Sequence, residues 1–486
     1  MTGVVWAVAG AGMLVCVAVA ALSDGEDVGA FALAGLLVGG VGLSLWRGTA
    51  APPVPTTIQL FRAVVAGALA AILAAAAPYL LADAPSAVND AFIEAISGVT
   101  TTGATVVPDP ESLGRAVLLW RALTQWLGAA GVVLLVVFVY PYLGIGGVDP
   151  GGVVTRAGRR LAARTSGSLA RLALAYVIIT GAGAVAYLVA GMGAFDAVVH
   201  ALTTASTGGF STHAGSLAYF DSAAVEWAAI AGMLVAGTSF PLLWRVVVRR
   251  EHTVLLRSFE LRVYALIVLA LTVAVLLGSA ERAGYDADSV RGALFFSASA
   301  ISTTGFTTGE LLFLDEGSVA LLVLAMGTGA MAASVAGGLK IVRLLAVAGY
   351  VRRELVRLVH PRAHGAIRVG RSTLSDEATG RMVGSVTLAL GLIVVACLAV
   401  AATGADLTTS VSAVVAAFST AGPALVEGQN TTYLTGLEPE ARRVLAAMMV
   451  LGRIEVFPVL IVAGEALGRV AARLPRRRPR LLRAER

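Results

Sequence analysis

The chain has 486 residues, 57% of them hydrophobic and only 14% charged, with a formal net charge of +6. A mean hydropathy of +0.84 excludes an ordinary soluble fold and points to a polytopic membrane protein. The positive charge is an excess of loop arginines between apolar segments, so it is no signal for nucleic acid. The first apolar stretch, Val4 to Leu22, lacks a basic leader and is followed by the acidic run Ser23-Asp24-Gly25-Glu26-Asp27. It therefore reads as a retained helix, not a cleaved signal. A second segment follows at Val28–Trp46. Cys16 and Cys397 both lie inside apolar runs and read as small packing residues.

From there a unit repeats four times: a long apolar segment, a short one, a Thr-x-Gly motif and a second long segment. The long segments are predicted near Phe61–Leu81 and Val117–Tyr142, Leu172–Met192 and Val225–Trp244, Val263–Leu277 and Val319–Val347, and Met382–Ala402 and Val444–Leu467. The short ones lie near Ala87–Val99, Phe195–Ala205, Ser289–Ala300 and Thr408–Phe418. They are too short to cross a bilayer and of the right length for re-entrant helices. The motifs are Thr100-Thr101-Thr102-Gly103, Ser206-Thr207-Gly208-Gly209, Ser302-Thr303-Thr304-Gly305 and Ser419-Thr420-Ala421-Gly422, recurring roughly every 100 residues. One Thr-x-Gly alone is a helix end or a turn. Four in phase, each after a re-entrant segment, are different. Non-helical backbone at membrane depth is tolerated only where it lines a wet cavity or is buried in protein. Gly lets carbonyls turn toward an axis and Thr adds an oxygen, which is what a cation filter needs. Ala421 and Pro423 predict a stiffer fourth motif and a departure from strict fourfold symmetry.

Charge sets the expected orientation. Arg156, Arg159, Arg160 and Arg164, then Arg245, Arg249, Arg250 and Arg257, then Arg352, Arg353, Arg357 and Arg362 follow the second segments of repeats one to three. The tail adds Arg473, Arg476, Arg477, Arg478 and Arg480. By the positive-inside rule these are cytoplasmic, as are both termini. The opposite loops carry Asp109, Glu111, Asp221, Asp286, Asp288, Glu310, Asp315, Glu316, Glu427, Glu438 and Glu440. An acidic rim of this kind raises the local cation concentration, and each acid taken singly is also an ordinary solvated loop residue.

Charged residues within the long apolar segments are the next feature. Lys340 is the only lysine in the chain, and it closes Gly337-Gly338-Leu339-Lys340 inside a long apolar segment. With Gly327, Gly329 and Ser334, the glycines there predict a broken helix and a gate, since Gly costs a helix about 1 kcal/mol per position. Snorkelling to the inner interface is the other reading of Lys340. Arg453 and Glu455 lie within the last long segment. A cation there is an electrostatic barrier to other cations, or else half of a structural ion pair. Glu455 pairs either with a neighbouring helix or with Arg453, although residues i and i+2 do not share a helical face. His200 and His213 flank the second motif without metal-ligand partners at usable spacing, and His252, His360 and His364 fall in the loops read as cytoplasmic. Asn430-Thr431-Thr432 is a glycosylation-type triplet with no role assigned. There is no phosphate-binding loop, dinucleotide fingerprint or nucleophile constellation, so no enzyme is expected.

The motifs and their order resemble the Trk/Ktr/HKT superfamily of potassium transporters, most closely its TrkH branch. Trp120-Arg121-Ala122-Leu123-Thr124-Gln125-Trp126-Leu127-Gly128 resembles the opening of the family's first inner helix, and Leu143-Gly144-Ile145-Gly146-Gly147 its end. Phe195-Asp196-Ala197 through Ser206-Thr207-Gly208-Gly209-Phe210-Ser211-Thr212-His213 is close to its second pore region. The resemblance implies an all-α membrane protein whose four helix–re-entrant loop–helix repeats form a pseudo-tetrameric pore, with two extra N-terminal helices. The units would be 1–59, repeats at 60–150, 151–250 and 251–365, and 366–486 with the basic tail. It also implies potassium ions as substrate at the filter, with glycine at Gly103, Gly209, Gly305 and Gly422. An intramembrane loop ending at Lys340 and a pore arginine at Arg453 would form the gate. The family pattern has Gly, Thr and Gly where this chain has Ala333, Val335 and Ala336. A homodimer on a ring of cytosolic TrkA-like subunits is implied, with nucleotide entering only through that separate subunit and no bound cofactor. The alternatives are a sodium-permeable or sodium-coupled cation transporter of the same fold, and a membrane sensor or enzyme on the same scaffold.

Overall fold

The computed structural model describes residues 1–23, 25–49, 56–135, 165–309, 314–362, 365–370, 372–422 and 433–473. It is almost wholly helical, and seven described helices are long and apolar enough to cross a membrane, or up to nine if each sharply bent pair is one span. Large apolar side chains such as Leu36, Leu73, Leu266, Leu324 and Leu398 are exposed on the bundle's outside. A water-soluble helix would hide them; here they face hydrocarbon.

Helices α1 (Thr2–Leu22) and α2 (Val28–Gly48) form a tight antiparallel pair. A methyl group built on Gly10 would lie 2.5 Å from the Gly39 Cα, and one on Gly42 2.4 Å from the Ala7 nitrogen. Small residues at such spacing let backbones approach, which drives packing in lipid, where burying apolar surface gains nothing. The pair leans on α3 (Thr57–Ala82) and α5 (Arg115–Leu134) through Met13, Cys16, Phe31, Tyr79 and Trp120, with the re-entrant α4 (Val88–Val99) between them.

The second repeat is α6 (Thr165–Val189), the re-entrant α7 (Ala194–Ala205), α8 (Ala223–Ala236) and α9 (Phe240–Val247), followed by the short α10 (Thr253–Arg257). The third is α11 (Phe259–Ala283), the re-entrant α12 (Ala287–Ser302), α13 (Glu316–Thr328) and α14 (Ile341–Val359). A hairpin of β1 (Arg368–Val369) and β2 (Ser372–Thr373) leads to the fourth: α15 (Asp376–Ala401), the re-entrant α16 (Leu407–Ser419), α17 (Pro439–Ile454) and α18 (Val456–Arg473). All four re-entrant helices fall within two residues of their predicted bounds at either end.

The second long segments do not run as hydropathy predicts. Val225–Trp244 is two helices bent by 110°, and Val444–Leu467 is two bent by 105°. The first break falls at Gly237-Thr238-Ser239, just before Pro241 in the first turn of α9. There Pro cannot supply an interior helix hydrogen bond. The second falls at Glu455, whose φ of 67° no right-handed helix accepts. Hydropathy averages over a window and is blind to both. In the third repeat the predicted break is present, between α13 and α14. The end of Val117–Tyr142, Leu143–Gly147, Pro423, Glu310, Glu427, the 430–432 triplet, Arg156–Arg164, His364 and Arg476–Arg480 lie outside the described residues.

Candidate permeation site

Each re-entrant helix stops at its Thr-x-Gly motif by the same backbone device. The second motif residue is left-handed in all four: Thr101 (φ 55°), Thr207 (49°), Thr303 (56°) and Thr420 (49°). The glycine two residues on is left-handed too: Gly103 (82°), Gly209 (76°), Gly305 (81°) and Gly422 (85°). The amide between them bonds back to the carbonyl five residues earlier. Thr102 reaches Ser97 at 2.8 Å, Gly208 Thr203 at 2.8 Å, Thr304 Ser299 at 3.0 Å and Ala421 Ala416 at 2.9 Å. Such closures normally use Gly in the left-handed place. A β-branched Thr there costs roughly 1–3 kcal/mol, a cost that clusters at functional sites. Despite Ala421, the fourth loop repeats the left-handed backbone of the others, while the departure from fourfold symmetry shows in its neighbours: a methyl group on Gly422 would lie 2.6 Å from the Gly305 Cα.

The loops meet edge to edge. A methyl group on Gly103 would sit 2.1 Å from the Gly208 oxygen, one on Gly209 2.1 Å from the Thr304 oxygen, and one on Gly305 2.6 Å from the Ala421 oxygen. Glycine is needed at these places because the next loop's carbonyl occupies the space of a side chain. The seam between the fourth and first repeats is closed by Ala104 and Val106 in one apolar cluster with Val414, Phe418 and Leu445, and by an Arg442–Asp90 ion pair at 3.2 Å. Every motif residue is buried, from Thr100, Thr102, Ser206 and Ser302 to Ser419. The hydroxyls of Thr101, Thr207 and Thr420 have no protein partner among the described residues. The far ends of α12 and α16 are capped by Asp286 and Asp406, whose carboxyls hydrogen bonds from Ser289 and Thr409 hold below the usual carboxylate range.

The fourth left-handed threonine is engaged. The Thr303 hydroxyl accepts from the Gly337 amide at 2.7 Å. Gly337 belongs to the loop 329–340 that breaks the third repeat, and a methyl group on it would lie 1.8 Å from the Ser419 oxygen. The loop is therefore pressed against the deep end of the motifs. Its neck closes where Gly329 and Gly338 pack backbone to backbone, a methyl on Gly338 falling 2.7 Å from the Gly329 Cα. The amides of Leu339 and Lys340 bond to the carbonyls of Gly327 and Thr328 at 3.0 and 2.9 Å. Lys340, at the start of α14, folds its ammonium back onto Ser334 Oγ at 3.2 Å and the Ala336 carbonyl. That geometry excludes snorkelling in this conformation. Arg453, 7% exposed, donates to the Val335 carbonyl at 2.8 Å. Glu455 pairs with Arg343 of α14 at 2.5 Å, not with Arg453; α17 ends at Ile454, so the two do not share a helix. A cavity of about 60 Å³ below the loop is lined by Ser334, Gly337, Lys340, Arg343, Arg453 and Glu455.

A second constellation went unpaired in the sequence. Glu94 of α4 is fully buried and bonds Arg121 Nε of α5 at 2.8 Å, the Thr105 hydroxyl at 3.0 Å and the Val106 amide at 3.1 Å. Arg121 also reaches the Ser211 carbonyl at 3.1 Å and lies 4.2 Å from the centre of the Phe210 ring. Gln125, one turn on, donates to the Gly208 carbonyl at 2.7 Å. The available signal was an acid and a base inside two apolar helices, where ionised groups are costly unless matched. His200 likewise bonds Ser211 Oγ at 2.9 Å and the Asp196 carbonyl at 2.8 Å.

Four re-entrant helices converging on one ring of loops, within a bundle of apolar spans, define a polytopic membrane protein of the four-repeat class. The model of the TrkH family, described as cation transport protein, matches residues 41–467, and the chain belongs to that family. The Trk system potassium uptake protein TrkH of Escherichia coli K12 is 34% identical over 400 residues, covering 80% of this chain and 81% of that protein. TrkG of the same organism, also named a Trk system potassium uptake protein, is 32% identical over 380 residues, 77% of each. The crystal structure of the potassium transporter TrkH from Vibrio parahaemolyticus superposes with a TM-score of 0.84 at 32% identity, covering 95% of this chain and 96% of that one.

Proposed function

We propose that this protein carries potassium ions into the cell across the cytoplasmic membrane, through a filter built from its four Thr-x-Gly motifs. The observation that carries this reading is the shared backbone of the four loops, with left-handed Thr and Gly in each. A partly dehydrated cation needs a ring of fixed oxygens in place of its hydration shell. The buried hydroxyls of Thr101, Thr207 and Thr420, lacking protein partners, are oxygens of that kind. The carbonyl ends of α4, α7, α12 and α16 all fall at these motifs, and helix C-termini favour positive charge. All four filter positions are glycine, which favours potassium over the sodium-permeable alternative.

In this reading the loop 329–340 and Arg453 are the gate, closed in the present conformation. Both termini lie in the cytoplasm, and the acidic loops face outward. The working unit is a homodimer on a ring of TrkA-like cytosolic subunits, which bring the nucleotide and dock on the basic loops. The test is uptake of radiolabelled rubidium into proteoliposomes, with potassium and sodium as competitors, beside a Gly305→Ser variant. Uptake blocked by potassium and not by sodium, with the preference lost in the variant, is the expected result. Equal sensitivity to both ions would overturn the potassium assignment.

A further inference from the structure

The four repeats place equivalent residues around the loops, and those residues differ in chemistry from repeat to repeat. Counting back nine residues from each motif glycine gives Glu94, His200, Phe296 and Ala413. On the inner helices, Arg121 stacks on Phe210, the residue after Gly209 in the next repeat. Val225 shares an apolar cluster with Phe306, the residue after Gly305, and Leu445 shares one with Ala104, the residue after Gly103. Arg121, Val225 and Leu445 are thus one position seen three times. One turn later stand Gln125, Ala229 and Met449, all fully buried. At the second seam these inner-helix positions are apolar, and the third loop is tied further along instead, by the Thr307 amide to Ser216 Oγ at 3.3 Å, the Leu217 amide to the Thr307 carbonyl at 3.2 Å and the Thr308 hydroxyl to Glu226. At the first seam the inner-helix positions themselves hydrogen-bond the neighbouring loop, at the Gly208 and Ser211 carbonyls.

We infer that Glu94, Arg121 and Gln125 form a positioning brace that sets the orientation of the second loop against the first and so the ion preference of the ring. The inference rests on the reading of the motifs as a filter. Gln125 is the acting member. Its Nε2 holds the Gly208 oxygen at 2.7 Å, the same oxygen that abuts Gly103, and its Oε1 accepts from the Phe210 amide at 3.3 Å. Arg121 ties the same segment one residue further on, through the Ser211 carbonyl, and Glu94 keeps Arg121 aimed. Remove the brace and the Gly208 peptide is free to rotate, since glycine itself resists no rotation. Because the brace touches only the loop's outer wall, its loss acts on discrimination between ions more than on passage.

The experiment compares Gln125→Leu with Met449→Leu, the matching change at the fourth repeat, in proteoliposomes assayed for rubidium uptake against potassium and sodium. Gln125→Leu is expected to lower the preference for potassium over sodium by about tenfold, the equivalent of about 1.4 kcal/mol, near the upper end for one hydrogen bond. Met449→Leu should leave the preference as in the wild type. A Gln125→Leu protein that transports with wild-type preference overturns the brace. A wild type without preference overturns the filter reading beneath it, so the two failures are distinct. For a variant too impaired to transport, thermal stabilisation in detergent by potassium against sodium reads the same discrimination without flux. An unchanged ratio of the two shifts overturns the inference.

Discussion

The motif loops and the loop 329–340 touch at Thr303 and are held in opposite ways. Each motif loop closes on its own helix, with its amides bonded to carbonyls three and five residues back, and the second adds long-range bonds from Gln125 and Arg121. The loop 329–340 has local bonds at its neck and from Lys340, but its middle is held from elsewhere: Arg453 on its Val335 carbonyl, Glu260 on its Ala332 amide, Thr303 on its Gly337 amide and the Phe240 amide on its Ala333 carbonyl. A structure made of local bonds is rebuilt wherever its helix forms. One made of a few long-range bonds is lost when any partner moves. The same device, backbone irregularity inside a membrane, is thus held mainly locally in one place and from a distance in the other.

The sharpest way to break this comparison is to make one small change in both regions. Gly209→Ala places a methyl group 2.1 Å from the Thr304 oxygen in a loop with nowhere to go. Uptake should fall roughly a hundredfold, a loss of about 2.7 kcal/mol along the path, in a protein that still elutes as a folded species. Gly337→Ala makes a closer clash, 1.8 Å from the Ser419 oxygen, in the loop proposed to be the gate. Uptake in the absence of any regulatory partner should rise. If both variants fall together, the gate loop is as rigid as the motifs and the comparison fails.

Next in size is Arg453→Met, which removes the bond to Val335 and a charge while keeping the length of the side chain. Unregulated uptake should increase about tenfold, the worth of one charge-assisted hydrogen bond of about 1.5 kcal/mol. Unchanged uptake would leave Arg453 a structural residue. The smallest effect is expected at Ala333, which is left-handed at φ 57°. Ala333→Gly relieves about 1 kcal/mol of strain in the closed loop, so basal uptake should drop by up to about fivefold. A rise instead would mean that glycine helps the loop to leave more than it helps it to stay.

Much of this is legible in the amino-acid sequence. The re-entrant helices announced themselves because a short apolar run ending in Thr-x-Gly has few readings at membrane depth. The broken third repeat was legible from Gly327, Gly329, Gly337 and Gly338. The bend before Phe240 had a readable signal in Gly237, Ser239 and Pro241, obscured by the hydropathy of the residues around it. At Glu455 only the charge hinted at anything.

The sequence by itself determined the class of fold, the four motifs and their glycines, because these depend on local rules: segment length, apolar run and the backbone freedom of Gly. Only the tertiary structure decided the partners. Arg343 finds Glu455 across 112 residues, Arg453 finds Val335 across 118, and Gln125 finds Gly208 across 83. The seam in which one loop's carbonyl excludes a side chain on its neighbour belongs to the ring as a whole. The physical reason is that an ionised or polar group in an apolar helix must be matched. Which of many distant groups matches it depends on how the repeats close around one another, and no local pattern carries that information.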